Sequence, residues 1–277
     1  MAETQKITKN ELKNNDVTAK RLRSEILQMI HAAKSGHPGG SLSAIDIILT
    51  LFADIMRFDP QNPEWADRDR FVLSKGHAVP ALYAVLSELG YFPKDWLMTF
   101  RRLGSPLQGH PDRIRLYAAE AATGSLGQGM SIAQGMALAG KLDKKDYKVF
   151  CLIGDGETQE GQIWETAMSA AKYKLNNLIA VTDFNRGQID GTSDEVMNID
   201  PLADKWRAFN WHVLEVDGHD RAAIKTAFSK PHSEKPTMVI AHTVKGKGVS
   251  FMEKVIDWHG VAPNDDELKN ALKELES

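Results

Sequence analysis

The sequence predicts an α/β protein with a mostly parallel central sheet and helices on both faces. Short apolar runs alternate with longer segments of helical periodicity. Strands covered on both faces are continuously apolar, which is the pattern that these runs show. With 277 residues, 42% hydrophobic and 26% charged, the chain can bury a large core. No linker or internal repeat divides it, so we expect one domain over residues 17–277 after a polar arm over residues 1–16.

Two helices are predicted before the first strand. Residues 17–34 carry apolar side chains at helical spacing, and Gly36 is expected to end this helix. Ser41 is expected to cap a strongly apolar helix over residues 42–56. Both helices suit the flanks of a sheet, because each would bury one apolar face against it.

Strands and helices alternate over the rest of the chain. The predicted strands are residues 71–73, 149–153, 178–182, 212–216 and 238–241. The helical patterns that separate or follow them are residues 160–173, 200–209 and 220–229. A glycine-rich segment is expected to open another helix near residue 127, and a capped short helix is expected near the carboxyl terminus. This alternation is typical of a parallel sheet built from strand–helix–strand units.

Composition excludes several classes of protein. The formal net charge of −3 gives no electrostatic reason to expect nucleic-acid binding. The most apolar stretch, residues 45–55, is interrupted by Asp46, Thr50 and Asp54, so we expect no membrane span. The first residues lack the apolar core of a secretion signal, and the single Cys151 cannot form an internal disulfide. These features favour a cytoplasmic protein.

An aspartate and an asparagine follow two successive predicted strands. Asp155 lies between Gly154 and Gly156 after strand 149–153, and Asn185 lies just beyond strand 178–182. Helix 160–173 is the crossover between the two strands, and its apolar face is expected to carry Ile163, Trp164, Ala167, Met168 and Ala171. The side chains of Asp155 and Asn185 are therefore both expected at the carboxyl edge of the sheet, where ligands bind. Oxygen donors beside close-approaching glycines suit Mg²⁺ with a diphosphate. A helix amino terminus can add amide donors to the same anion.

This motif also has simpler interpretations. A glycine–aspartate–glycine tripeptide alone is usually a turn. A dinucleotide site would require glycine at position 159, which is Gln159, and the sequence contains no phosphate-binding P-loop pattern. The metal-diphosphate interpretation therefore depends on the position of the motif at a strand end.

Four histidines stand beside glycines, in the segments SGHPGG (His37), LSKGHA (His77), QGHPD (His110) and DWHG (His259). Isolated loop histidines are more often packing or surface residues, and no zinc-binding spacing is present. Four such segments favour binding of a polyhydroxylated substrate with proton transfer near neutral pH. In the glycine-rich segment TGSLGQG, residues 124–126 are expected to bind a flat cofactor ring through their backbone atoms. Tight helix packing is the alternative for the glycines that follow.

Together these motifs carry a family resemblance. GDGETQEG through NLIAVTDFN resembles the thiamine-diphosphate motif, and SGHPGG, LSKGHA, GHPD, TGSLGQG, KGKGVSFME and DWHG resemble transketolase segments in transketolase order. The resemblance extends from about residue 17 to nearly the end of the chain. It implies a thiamine-diphosphate-binding fold, in the form of the amino-terminal, diphosphate-binding subunit of a split transketolase.

The resemblance also implies residue roles. Asp155 and Asn185 would bind Mg²⁺, or Ca²⁺ or Mn²⁺ in its place, by side chain, and Gly187 by its carbonyl, where a larger residue is common in the family. The other implied cofactor contacts are His77, Gly156 and Lys245 at the diphosphate, Gly124, Ser125 and Leu126 at the thiamine rings, and His259. The implied catalytic residues are His37, His110 and His259 toward the sugar, and Glu160. Glu160 and Glu165 resemble a proton-sharing chain to a neighbouring active site, although surface charge is the simpler interpretation of Glu165.

The implied reaction transfers a two-carbon ketol unit from a ketose or its phosphate to an aldose, as in pentose phosphate metabolism. The family's pyrimidine-binding section has no counterpart in the sequence, so the resemblance implies a separate carboxyl-terminal subunit. We expect a homodimer of this chain within a heterotetramer, with Leu126, Met130 and Trp164 facing the partner. The alternatives are a deoxy-xylulose-phosphate-synthase-like subunit, a 2-oxo-acid dehydrogenase α subunit, or a non-catalytic cofactor-binding module.

Overall fold

The computed structural model describes residues 15–276, with side chains from Thr18 onward, so residues 1–14 of the expected polar arm lie outside the described part. Five strands form one sheet in the order β1-β2-β3-β5-β4, and every neighbouring pair is parallel. The predicted α/β class is therefore confirmed. The elements are α1 (Asn15–Ala33), α2 (Pro38–Thr50), β1 (Arg70–Leu73), α3 (Val79–Glu88), α4 (Gln128–Leu142), β2 (Val149–Gly154), α5 (Gly161–Lys172), β3 (Leu178–Phe184), α6 (Ser193–Val196), α7 (Leu202–Ala208), β4 (His212–Asp217), α8 (Arg221–Phe228), β5 (Thr237–His242) and α9 (Asp265–Glu276).

The core lies on both faces of the sheet. Along β2, Phe150 and Leu152 join the apolar cluster formed with α1, α2 and α3. Val149, Cys151 and Ile153 join a second cluster formed with α4, α5 and α7. Alternate side chains of a strand point to opposite faces, so each face of the sheet is covered by its own helices. Burial also raises the pKa of the free Cys151 thiol, which keeps it protonated and unreactive.

The start of α2 differs from the prediction. The helix begins at Pro38 in place of Leu42, and Ser41 lies inside it with its hydroxyl donating to the His37 carbonyl at 2.7 Å. Proline is favoured at the first helical position because its missing N–H has no partner there. After Thr50 a π-helical turn, Leu51–Ile55, continues the helix. The predicted cap at Ser41 is therefore wrong.

The segment Pro38–Ile55 is long and apolar enough to cross a membrane by length and composition, but 89% of it is buried inside the protein. All residues of α2 are buried. It is thus the central helix of the core on one face of the sheet. The preceding helix, α1, ends at Ala33, and Lys34 adopts the left-handed conformation with φ of 50°. This ending lies slightly before the predicted one at Gly36.

The crossover helix α5 agrees with the predicted helix 160–173 to within one residue at each end, and a separate 3₁₀ turn, Gly156–Gln159, precedes it. Ile163 and Ala167 are buried as expected for its apolar face. Met168, expected on the same face, is 55% exposed. Met130, expected to face a partner, is fully buried in the core. Both expectations are wrong.

Candidate active site

A cavity of about 310 Å³ opens at the carboxyl edge of the sheet, between the loops that follow β1, β2, β3 and β5. All five strands are parallel, so these loops meet on one side. The predicted site residues that line the cavity are His37, His77, Gly124, Leu126, Asp155, Gly156, Glu160, Asn185, Gly187, Lys245 and His259. Ser125 and His110 are exposed and do not line this cavity, and neither does the exposed Glu165 on α5.

Asp155 is the central carboxylate of the cavity. It is 3% exposed and accepts hydrogen bonds from the amides of Gly156, at 2.8 Å, and Arg186. Burial, with a contribution from nearby Asp183, raises the pKa of Asp155 to about 6. A buried carboxylate of this kind is stabilised by a bound cation, because the cation offsets the lost solvation of the charge.

Asn185 is oriented by a buried residue that the sequence did not reveal. Asp183, at the end of β3, is fully buried and accepts a hydrogen bond from Nδ2 of Asn185 at 3.2 Å. It also accepts from the Lys75 ammonium at 2.5 Å and from the Ser43 hydroxyl at 2.6 Å. Burial acts to raise its pKa, but Lys75 and the hydrogen bonds hold the pKa of Asp183 below its usual range. With Nδ2 engaged there, Oδ1 of Asn185 accepts from the Gly187 amide at 3.0 Å.

Lys245 reaches the same place from the loop after β5. It is 2% exposed, and its ammonium donates to the Gly187 carbonyl at 3.0 Å and lies 2.8 Å from Nδ1 of His259. A Cβ on Gly187 would lie 2.8 Å from Cδ of Lys245, so the lysine chain occupies the space of a larger residue. Burial lowers the pKa of Lys245 to about 8. The side chain therefore remains largely cationic at neutral pH.

The four histidines converge although they lie far apart in the sequence. The ring centroids of His77 and His259 are 5.3 Å apart, and that of His37 lies 5.3 Å from His77 and 5.6 Å from His259. His110 stands at the rim, with its ring 6.3 Å from that of His37. Burial, reinforced by Arg101 near His37 and by Lys245 near His259, lowers the pKa of His37 to about 4 and that of His259 to about 3. Neutral imidazoles can both donate to and accept from sugar hydroxyls.

Glu157 is a second functional residue that sequence reasoning missed. It is 1% exposed and accepts from the amides of Gly127 at 2.8 Å and Gly154 at 3.0 Å, and from the Ser74 hydroxyl. It therefore joins the ends of β1 and β2 to the start of α4. Gly127 has φ of 84°, a conformation that favours glycine. This contact fixes the loop over residues 124–126 at the cavity wall.

The donor set fits a divalent metal with a diphosphate. Within residues 15–276, no group of three or more His, Cys, Asp or Glu side chains is placed to hold a metal ion. One carboxylate, one amide oxygen and one carbonyl are hard oxygen donors, and they suit Mg²⁺ that takes its remaining ligands from phosphate and water. The buried Asp155 carboxylate and the cationic Lys245 supply the opposite charges that such a pair requires.

Known proteins resemble this chain over almost all of its length. The family model described as "transketolase, thiamine diphosphate binding domain" matches residues 14–276. The chain is 43% identical over 262 residues to an apulose-4-phosphate transketolase subunit of Phocaeicola vulgatus, covering 94% of this chain and 93% of that protein. It is 46% identical over 257 residues to a 6-deoxy-6-sulfo-D-fructose transketolase subunit of Clostridium sp., covering 92% and 94%.

Full-length transketolases match over part of their length only. Human transketolase is 42% identical over 262 residues, which cover 94% of this chain and 42% of the human protein. The crystal structure of transketolase from Campylobacter jejuni superposes with a TM-score of 0.89 at 35% identity, again over 94% of this chain and 42% of that one. The chain belongs to the transketolase family, as an enzyme subunit that corresponds to the thiamine diphosphate binding domain.

Proposed function

We propose that the chain is the amino-terminal subunit of a two-chain transketolase that uses thiamine diphosphate and magnesium. It would transfer a two-carbon ketol unit from a ketose, or its phosphate, to an aldose. One observation carries the proposal: oxygen donors, a buried lysine and three of the four histidines surround a single cavity at the carboxyl edge of the sheet, with His110 at its rim. When bound, thiamine diphosphate supplies the carbanion chemistry that breaks and forms the carbon–carbon bonds.

At the anionic end, Asp155, Asn185 and the Gly187 carbonyl would hold Mg²⁺, for which Ca²⁺ or Mn²⁺ can substitute. Lys245, His77 and Gly156 would contact the phosphates. Support comes from the burial of Asp155 and Lys245, because charges that are buried in this way interact strongly with a ligand of opposite charge. The metal would thus neutralise the negative charge of Asp155, and the diphosphate would neutralise the positive charge of Lys245.

At the reacting end, Gly124, Ser125 and Leu126 would contact the thiamine rings. His37, His110 and His259 would bind the sugar hydroxyls and move protons to and from them. Their proximity supports this role, since neutral imidazoles can both donate hydrogen bonds to sugar hydroxyls and accept them. Glu160, on the cavity wall, would join a proton-sharing path to a neighbouring active site, with Glu165 one turn further along α5.

The partner would be a separate carboxyl-terminal subunit that supplies the pyrimidine-binding and carboxyl-terminal sections. Two relatives of similar length are named as subunits, and the chain spans 42% of human transketolase. Their names specify sugars with a phosphate or a sulfo group, so we propose anionic sugars as substrates. A homodimer of this chain would form the centre of a cytoplasmic heterotetramer.

The test is a ketol-transfer assay on the purified chain, alone and mixed with a candidate partner subunit. We expect activity only in the mixture, and only with thiamine diphosphate and Mg²⁺. Transfer by the chain alone at an ordinary enzymatic rate would show that the split-subunit proposal is wrong. Replacing the donor ketose by pyruvate separates the main alternative, because a synthase that condenses pyruvate with an aldehyde phosphate would release carbon dioxide.

A further inference from the structure

A buried ion pair joins α1 and α2 behind the cavity. Nη2 and Nη1 of Arg23 donate to the two carboxylate oxygens of Asp46 at 2.5 and 3.3 Å, and the residues are only 6% and 4% exposed. Nε of Arg23 donates to the Lys247 carbonyl at 3.0 Å. Burying such a pair costs solvation energy, and apolar residues of similar size would often stabilise the fold equally well. The pair therefore requires an explanation beyond stability.

His219 extends this pair to the loop that carries Lys245. Its Nδ1 lies 2.7 Å from Oδ2 of Asp46, and its Nε2 lies 2.8 Å from the Val244 amide nitrogen. A backbone N–H can only donate, so Nε2 must be the unprotonated acceptor. Nδ1 then carries the proton and donates to Asp46. The contacts on both sides thus fix His219 as the neutral Nδ1–H tautomer.

The network therefore holds the backbone on both sides of Lys245. His219 binds the amide of Val244, one residue before it, and Arg23 binds the carbonyl of Lys247, two residues after it. Asp46 accepts from both side chains, so one carboxylate sets the position of the whole segment. None of these three side chains lines the cavity formed by the described residues.

We propose that Arg23, Asp46 and His219 are positioning residues that aim the Lys245 ammonium at the cofactor diphosphate. This inference rests on the proposed function, since it requires that Lys245 bind the diphosphate. Side chains that orient a binding group typically change affinity by about 10- to 100-fold when they are replaced. The network would act on cofactor affinity through Lys245 alone.

The first test is calorimetric titration of the full chain with thiamine diphosphate and Mg²⁺. His219→Asn keeps a donor near Asp46 but withdraws the acceptor from Val244, whereas the longer His219→Gln can retain that acceptor. We expect the Asn variant to bind about tenfold more weakly and the Gln variant to recover most of the affinity. In a Lys245→Met background, His219→Asn should cause little further loss, because the two residues act in one chain of contacts.

His31→Asn is the matched control. His31 makes a similar histidine–carboxylate contact of 2.8 Å with the exposed Asp265, so its replacement should leave cofactor affinity unchanged. If His219→Asn lowered cofactor affinity by the same factor in the unaltered and the Lys245→Met backgrounds, the positioning role would be overturned and a general effect on the fold indicated. If the unaltered chain bound no thiamine diphosphate even with the partner subunit present, the proposed function and this inference would both fall.

A second measurement does not depend on the cofactor. In the chain with ¹⁵N-labelled histidine, the signals that disappear in His219→Gln identify the His219 ring. We expect one protonated and one unprotonated nitrogen, with the proton on Nδ1. A doubly protonated ring at neutral pH, or a proton on Nε2, would overturn the network even if the chain binds the cofactor.

Discussion

Asp155 shows at the scale of one residue how the site depends on a buried charge. We expect Asp155→Ala to abolish Mg²⁺-dependent binding of thiamine diphosphate, because the metal loses its only charged protein ligand in the proposed set. The fold should persist, although the amides of Gly156 and Arg186 lose their acceptor, which costs about 1–3 kcal/mol for each. Calorimetry measures the binding, and circular dichroism measures whether the fold is retained. Asp194→Asn, which alters an exposed carboxylate beside the same loop, is the control, and unchanged affinity in Asp155→Ala would refute the site assignment.

His110 stands at the rim of the cavity, and on the proposed function it contacts the substrate and not the cofactor. We therefore expect His110→Ala to lower turnover by about 100-fold, the usual scale for a lost proton-transfer group, and to change cofactor affinity far less. Steady-state kinetics of the mixed subunits and calorimetry give the two values. His242→Ala, at an exposed pair with Glu215, serves as the control. Equal losses in turnover and affinity would place His110 in the cofactor site.

The lowered pKa of His37 predicts a pH effect on stability. Between pH 6.5 and about 4 the unfolded chain binds a proton that the folded chain does not, so the free energy of unfolding falls as pH falls through this window. At pH 5 this contribution is about 2 kcal/mol relative to pH 8. In urea unfolding, the free energy of unfolding should therefore fall less between pH 8 and pH 5 for His37→Asn than for the unaltered chain. The same loss in both proteins would contradict the buried, neutral state of His37.

Sequence reasoning found the site residues that stand in glycine-containing motifs more readily than the buried charged residues that support them. The histidines and Asp155 were recognisable because each stands beside glycine at a loop or strand end. Lys75, Asp183 and Glu157 were missed, because a charged residue in a sequence is usually on the surface. Their role depends on contacts between distant segments, such as that of Lys75 with Asp183, which neither propensity nor spacing reveals.

At the scale of elements, α4 contains glycines that differ in their surroundings. A Cβ on Gly129 would lie 2.6 Å from Cα of Ser74, whereas a Cβ on Gly135 would meet no atom within 4 Å. We expect Gly129→Ala to lower the free energy of unfolding by about 1–3 kcal/mol through overpacking. Gly135→Ala should raise it by about 0.5–1 kcal/mol, because alanine restricts the unfolded chain. Urea unfolding tests both, and destabilisation by Gly135→Ala would contradict its open surroundings.

The strands were predicted to within two residues at each end, because a parallel sheet covered on both faces leaves an unbroken apolar run. Helices buried on every side were harder to predict. All residues of α3 are buried, so it has no polar face from which a helical period can be recognised, and it was not predicted. Complete burial likewise concealed the start of α2, where Pro38 was the available signal.

For the whole molecule, the outer surface of α4 and α5 is a candidate contact between two copies. Ile132 on α4 is 37% exposed and Met168 on α5 is 55% exposed. We expect Met168→Glu to shift the chain toward monomer in sedimentation while its circular dichroism stays unchanged, because a charge at an apolar interface opposes association. Leu103→Glu, which alters a fully exposed residue in another loop, is the control. If both variants sedimented like the unaltered chain, this surface would be excluded as the contact between two copies.

The contact between the Lys245 ammonium and the Gly187 carbonyl has a thermodynamic consequence. On the proposed assignment, this carbonyl is a metal ligand, so a divalent ion that arrives alone must either displace the ammonium or share the oxygen with it, and in both cases it lies beside a like charge. A diphosphate draws the same ammonium away and leaves the carbonyl oxygen free. Each ligand therefore strengthens the binding of the other, and reciprocity requires the same factor in both directions. The cofactor and its ion would load as a coupled pair, and a change in the supply of one would alter the occupancy of the other.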